Sequence, residues 1–285
     1  MNSNEWPLVF FTLFSQASAG IMLVSAVMLF LLKEDGHAAG AEFRRTAALL
    51  ALALIGLALM ISFLHLSRPH ASVYAMSNLG VSWLSREIIL AGAFFALTAL
   101  VYLVPGPAGG KWTAALMIAS GFVGLILVYS MVRLYMIPTV PAWNNPSTPV
   151  AFFSSTLLLG TMASLVVIGY LASRSVQADF PQNLARLLAI LVLAGAIFQL
   201  GNTLFVWFGQ TLAEGSFPAP ELPVMIRVIQ IVLLVAGAAI MATWFSRSLP
   251  LQGSLTWFLL AGTGFILSEL LGRFLFYASY YRLGI

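Results

Sequence analysis

Apolar runs long enough to cross a bilayer recur along this whole 285-residue chain, with almost no charge inside them. The composition is 61% hydrophobic and 8% charged, whereas a soluble domain carries about 25% charged residues. A run crossing the hydrocarbon as helix needs roughly 20 apolar residues. By that rule there are about eight spans, near 8–32, 46–66, 84–104, 112–137, 150–172, 184–208, 223–246 and 255–278. The sequence therefore predicts an all-α integral membrane protein, a bundle of eight transmembrane helices. It reads as one transmembrane domain over 1–285 with no soluble domain.

Breaks between the spans are well marked. Lys33-Glu34-Asp35-Gly36 ends the first, and Pro105-Gly106-Pro107 separates the third and fourth. Pro138, Pro141, Pro146 and Pro149 separate the fourth and fifth; Pro218, Pro220 and Pro223 precede the seventh; Pro250 and Gly253 precede the last. The N-terminus has no basic segment, and Leu8 to Leu32 is longer than a secretory leader's apolar core. The first span is expected to remain as a helix. His37 reads as a solvated residue of a Gly/Ala-rich loop, and His70 as loop surface.

Orientation follows from Lys and Arg. Lys33, Arg44, Arg45, Lys111, Arg174, Arg186 and Arg247 lie in or beside connections that follow odd-numbered spans. The sequence predicts those connections in the cytoplasm and both termini outside. Arg68, Arg86 and Arg282 are the main exceptions. Aromatic residues suggest belts at both interfaces: Trp6, Trp83, Trp143, Trp207, Tyr277 and Tyr280 outside, and Tyr102, Trp112, Tyr170, Trp244 and Trp257 inside. The formal charge of +4 is thus explained by topology and not by nucleic acid. The outward connections 67–83, 138–149 and 209–222 are the longer ones; they suit either docking of a partner or plain solvation.

Ionisable residues inside a span cost about 2.5–3.5 kcal/mol each on insertion scales, so each needs a reason. On this topology they gather toward the outer side. His65 ends the second span, and Arg86 and Glu87 open the third. Arg133 lies beside Tyr129 and Tyr135 near the end of the fourth; Asn202 lies on the sixth and Arg227 opens the seventh. Glu269 and Arg273 are one turn apart on the eighth, and Gln16 is near the middle of the first. The inner half carries little beyond boundary arginines. A transporter needs polar groups that continue across the bilayer. A one-sided pocket of His, Glu, Arg and Tyr instead suits a small amphipathic ligand such as a quinol. His65 is suited to act as general base, with Glu87 accepting or relaying the second proton. Plainer readings stand beside this one. Glu269 and Arg273 at i, i+4 fit a structural ion pair, and Arg68 and Arg86 fit snorkelling to the interface.

One span histidine is too few for a bis-histidine haem, and there is no cysteine. No haem and no iron–sulfur cluster are expected in this chain. If it oxidises quinol, a partner with a metal cluster must dock close by.

At these residues the sequence resembles the DmsC family, the membrane anchor subunit of bacterial dimethyl sulfoxide reductase. The segments that carry the resemblance are Asn4-Glu5-Trp6-Pro7-Leu8 with Gln16, and His65-Leu66-Ser67-Arg68-Pro69. To these add Ser82-Trp83-Leu84-Ser85-Arg86-Glu87-Ile88, and Arg133-Leu134-Tyr135 with Ala142-Trp143-Asn144. Last comes Glu269-Leu270-Leu271-Gly272-Arg273 running on to Phe276-Tyr277. Ser67 stands where the family's turn usually has Gly. The resemblance implies an eight-helix subunit of the bacterial inner membrane that oxidises menaquinol. It implies an iron–sulfur electron-transfer subunit and a molybdopterin catalytic subunit as partners, besides lipid. It implies that His65 and Glu87 serve the quinol site; Arg68, Arg86 and Tyr135 are read from their positions as tuning the quinol pocket or binding the partner. A passive tether without a quinol site, and a secondary transporter, are the rival expectations.

Overall fold

A segment inside hydrocarbon has no water to bond its amides, so each apolar run must satisfy its backbone by coiling into a helix. The computed structural model describes residues 6–31, 37–64, 74, 77–106, 110–174, 180–213 and 224–280. They form α1 (Trp6–Leu31), α2 (His37–Leu64), α3 (Trp83–Leu103), α4 (Lys111–Tyr135), α5 (Ser147–Arg174), α6 (Gln182–Ala213), α7 (Val224–Ser246) and α8 (Leu255–Ala278). All eight are long and apolar enough to cross a bilayer. The protein is an all-helical, multi-pass membrane protein.

The helix ends follow local chemistry. Ser82 caps α3, its hydroxyl accepting from the Ser85 amide at 3.3 Å. Pro105 stops α3, and the next residue, Gly106, takes φ +139. Two expected boundaries are corrected. α2 begins at His37, well before position 46, so His37 opens a helix and is not a loop residue. α6 runs on to Ala213, past position 208.

The early start of α2 has a physical cause. Arg44, expected beside a loop, is buried with 4% of its surface exposed. Its guanidinium donates to the carbonyl of Val101, and to those of Val104 and Gly106 at 3.3 and 3.1 Å. The last carbonyls of a helix have no intrahelical partner and sit at the negative end of its dipole. Arg44 therefore closes the end of α3 from the neighbouring helix.

Consecutive helices pack side by side, and the fourth of each set returns to the first. Thus α1–α4 form one ring and α5–α8 another, joined where α1 meets α5 and α8 and where α4 meets α5. α1 and α5 are the central helices: 72% of each spanning window is buried, against 28% for α2 and α7. Their crossing needs two glycines. A Cβ on Gly20 would lie 2.0 Å from the Thr156 carbonyl oxygen, and one on Gly160 would lie 2.2 Å from the Gly20 carbonyl carbon.

The ends of α4 and α8 and the start of α1 share one end of the bundle, the terminal face. There the Tyr277 hydroxyl lies 2.7 Å from the Tyr135 hydroxyl and 3.5 Å from the Leu8 carbonyl. Three aromatic residues expected in interfacial belts lie in the protein interior instead: Trp143, Tyr277 and Trp244 are buried. Trp143 Nε1 donates to the Phe276 carbonyl at 2.8 Å, and Trp244 Nε1 to Ser254 Oγ at 2.6 Å. A buried N–H or O–H usually finds such a partner, which an interfacial ring would find in water.

Candidate functional site

Of the five buried charged residues among those described, Glu87, Arg227, Glu269 and Arg273 lie in the half of the bundle beneath the terminal face, and Arg44 lies toward the other end. One cluster is built on α8, where Glu269, Arg273 and Tyr277 fall at i, i+4 and i+8 on the buried face. Arg273 stacks over the Phe152 ring, 4.0 Å from its centroid. Its Nη2 donates to Gln16 Oε1 at 2.8 Å and to Ser155 Oγ at 3.3 Å. Ser155 Oγ lies 2.5 Å from Glu269 Oε2, which also accepts from Gln199 Nε2 at 3.1 Å. The ion pair suggested by the i, i+4 spacing is thus replaced by a link through a hydroxyl. α5 inserts Ser155 between the two charges, and α1 and α6 supply Gln16 and Gln199.

Toward the terminal face this network meets an aromatic cage. Tyr135 lies edge-on to Trp143, Phe276 and Tyr277, with ring centroids 5.5, 5.6 and 5.4 Å away. Trp143 and Phe276 stack at 5.3 Å, interplanar 13°. Such pairs contribute about 0.5–1.5 kcal/mol each beyond area burial. They hold the ends of α4 and α8 and the loop before α5 as one piece.

Glu87 lies one turn into α3, with 4% of its surface exposed. Its Oε2 is buried with no hydrogen-bond partner among the described residues. It is within electrostatic reach of Tyr135 and Tyr277. A carboxylate left this way costs free energy unless a donor or a proton arrives. The buried face of α3 continues below it as Ala91, Phe94, Thr98 and Val101.

The residues expected at the site separate as follows. Glu87 and Tyr135 are buried in the same region. Arg86, next to Glu87, points the other way. It donates to the carbonyls of Leu79 and Gly80 at 2.8 and 2.7 Å and lies 4.3 Å from the Trp83 ring centroid. Arg133 is 5.4 Å from the same ring. His65 and Arg68 lie outside the described residues, as does the Ser67 turn. Gln199 and Ser155 were not singled out from the sequence. A Ser among many on an apolar helix carries no periodic signal, and only the neighbouring helix gives it a role. Among the described residues no group of three or more His, Cys, Asp or Glu could hold a metal ion.

The model of the DMSO reductase anchor subunit family (DmsC) matches residues 1–279. The protein belongs to the DmsC family. Two curated relatives from Escherichia coli K12 match over nearly their full length. The YnfH chain of anaerobic dimethyl sulfoxide reductase is 30% identical over 289 residues, covering 99% of this sequence and 97% of its own. The C subunit of anaerobic dimethyl sulfoxide reductase is 29% identical over 294 residues with the same coverage. The Haemophilus influenzae C subunit is 28% identical over 201 residues, covering 68% of this sequence and 70% of its own. The family is that of a reductase's anchor subunit, and the eight long apolar helices fit a multi-pass membrane anchor.

Proposed function

We propose that this protein oxidises quinol beneath the terminal face and anchors a molybdoenzyme complex there. The observation that carries this reading is the buried Glu87 carboxylate, whose Oε2 has no hydrogen-bond partner among the described residues, in a bundle whose buried ionisable cluster lies at that end. The quinol is menaquinol or a relative, and the region between α2 and α3 receives it. Oxidation releases two electrons and two protons. His65 takes one proton as general base and Glu87 takes or relays the other. The electrons pass to an iron–sulfur subunit docked on the terminal face and then to a molybdopterin subunit that reduces dimethyl sulfoxide or a similar acceptor. Arg68, Arg86 and Tyr135 tune the pocket or contact the partner. The terminal face is the outer, periplasmic side of the bacterial inner membrane, which the Lys/Arg distribution supports. Protons are then released on the side where acceptor reduction consumes them, and no net charge crosses.

The test uses the intact complex in membranes. Reduction driven by a short-tailed naphthoquinol is compared with reduction driven by an artificial dye that bypasses the anchor. Glu87→Gln and His65→Asn are expected to lower the quinol-driven rate by about two orders of magnitude or more. Dye-driven reduction should persist. Equal quinol-driven rates in wild type and both variants would reject the roles. Failure of the wild-type complex to bind the naphthoquinol would favour a passive tether.

A further inference from the structure

A second polar site lies away from Glu87, in the ring formed by α5–α8. A cavity of about 60 Å³ opens there beneath the terminal face, lined by Gln199, Asn202, Thr203, Arg227, Gln230 and Glu269, among others. Glu269 is 1% exposed, and its Oε1 has no partner among the described residues, although its Oε2 is bonded to Ser155 and Gln199. Arg227 is 8% exposed and bonds within the protein to a neutral amide, Gln230 Oε1, at 3.3 Å. Glu269 and Arg227 thus line the same small space, and no hydrogen bond among the described residues joins them.

The walls are shaped for this arrangement. A Cβ on Gly272 would lie 2.5 Å from Gln230 Nε2, so the bare glycine leaves room for the amide that holds Arg227. Ser268 Oγ donates to the Gln230 carbonyl at 2.9 Å and ties α8 to α7 at the same level. The volume decides the class of ligand. A buried water needs roughly 10–15 Å³ and two to four polar partners, so about 60 Å³ holds about four to six waters. A quinone ring or a lipid headgroup does not fit.

We propose that this cavity is a hydrated proton site, in which water bridges the Arg227 guanidinium to Glu269 Oε1 and the Glu269 carboxylate reversibly takes up a proton during quinol oxidation. The step is a proton transfer alone: a cavity water delivers H⁺ to the carboxylate, which becomes a carboxylic acid and later returns it to water. The proton comes from the quinol and the electrons leave through the iron–sulfur partner, so the inference rests on the function proposed above. Tyr277, paired with Tyr135 at 2.7 Å, lies one turn from Arg273 and two turns from Glu269 on the buried face of α8. Among the described residues, the charged groups near Glu269 are Arg273 on its own helix and Arg227 on α7. α1, α5 and α6 present the neutral Gln16, Ser155 and Gln199.

The experiment is a redox-triggered infrared difference spectrum of the intact complex loaded with the short-tailed naphthoquinol, in H₂O and D₂O. It is combined with quinol-driven turnover across pH, normalised to the dye-driven rate. Beside the band that a protonated Glu87 gives, a second carboxylic-acid carbonyl band that shifts in D₂O is expected in wild type, and this second band is expected to be missing in Glu269→Gln. Quinol-driven turnover should fall roughly tenfold or more in that variant, and its pH profile should flatten, while naphthoquinol still binds. Asn202→Leu fills the cavity and leaves the carboxylate; it should lower turnover and shift the same band. Persistence of the second band in Glu269→Gln, or wild-type turnover at every pH in both variants, would overturn the proposal while leaving the quinol reading intact. A wild-type complex that does not oxidise the naphthoquinol would end both.

Discussion

The hydroxyls of Tyr135 and Tyr277 meet at 2.7 Å, linking the last turn of α4 to the last turn of α8 across 142 residues of sequence. Both rings are buried, so neither hydroxyl has bulk water as an alternative. Tyr277→Phe leaves the Tyr135 hydroxyl without its partner, at a cost of about 1–3 kcal/mol, whereas Tyr135→Phe leaves the Tyr277 hydroxyl only the Leu8 carbonyl at 3.5 Å. Tyr277→Phe and Tyr135→Phe should each lower the Tm of the detergent-solubilised protein. The double variant should lose less than the sum of the two, because no orphaned hydroxyl remains. Additive losses in a double-mutant cycle would show that the pair does not act as a unit.

The α1–α5 crossing depends on two bare backbones in contact. Gly160→Ala adds a Cβ that would lie 2.2 Å from a backbone carbon of Gly20, which cannot move as a side-chain end can. Forced overpacking costs about 1–3 kcal/mol or more. Thermal unfolding should show a clear drop for Gly160→Ala. Gly201→Ala on α6, where an added Cβ meets nothing within 4 Å, serves as the comparison. Equal Tm values for the two variants would remove the crossing as a stability determinant.

Arg44 and Arg45 are adjacent in sequence and unlike in role. Arg44 closes the carbonyl end of α3, whereas Arg45 is exposed and lies 5.3 Å from the Tyr102 ring centroid. Hydrogen bonds from a charged donor contribute about 1.5–3 kcal/mol, while an exposed substitution usually stays within about 0.5 kcal/mol. Arg44→Met should therefore destabilise the protein markedly and Arg45→Met hardly at all. The check is a paired melt of the two variants in the same detergent; a ranking in the other order would contradict the capping role.

Span number was readable without coordinates, because hydrocarbon leaves a long uncharged run no option but a helix. So was the family, since the segments from Glu5-Trp6-Pro7 to Arg273 occur in order along one sequence. The start of α2 was misread, because Arg44 looks like a topological charge until the end of α3 is seen beside it. Trp143, Tyr277 and Trp244 were misread for a related reason. An aromatic near a span end has the same local sequence whether it faces lipid or a neighbouring helix.

The site divides along the same line. That Glu87, Glu269 and Arg273 needed partners followed from their position in apolar runs. Which partners they have did not follow, because those come from helices far away in the sequence. Ser155, Gln16 and Gln199 reach Glu269 or Arg273 only through the packing of α1, α5, α6 and α8. The i, i+4 spacing of Glu269 and Arg273 described one helix correctly and still mistook the contact, since a hydroxyl from α5 enters between them.

Hydrophobicity along the sequence, acting through the demand that every amide in a bilayer be bonded, determined eight helices and most of the ends at which they turn, the start of α2 and the end of α6 excepted. Only the tertiary structure decided which face of each helix meets protein and which meets lipid. That choice depends on contacts between distant segments, on two glycines that let α1 and α5 touch and on polar side chains that find one another across helices, and no local stretch of sequence contains it.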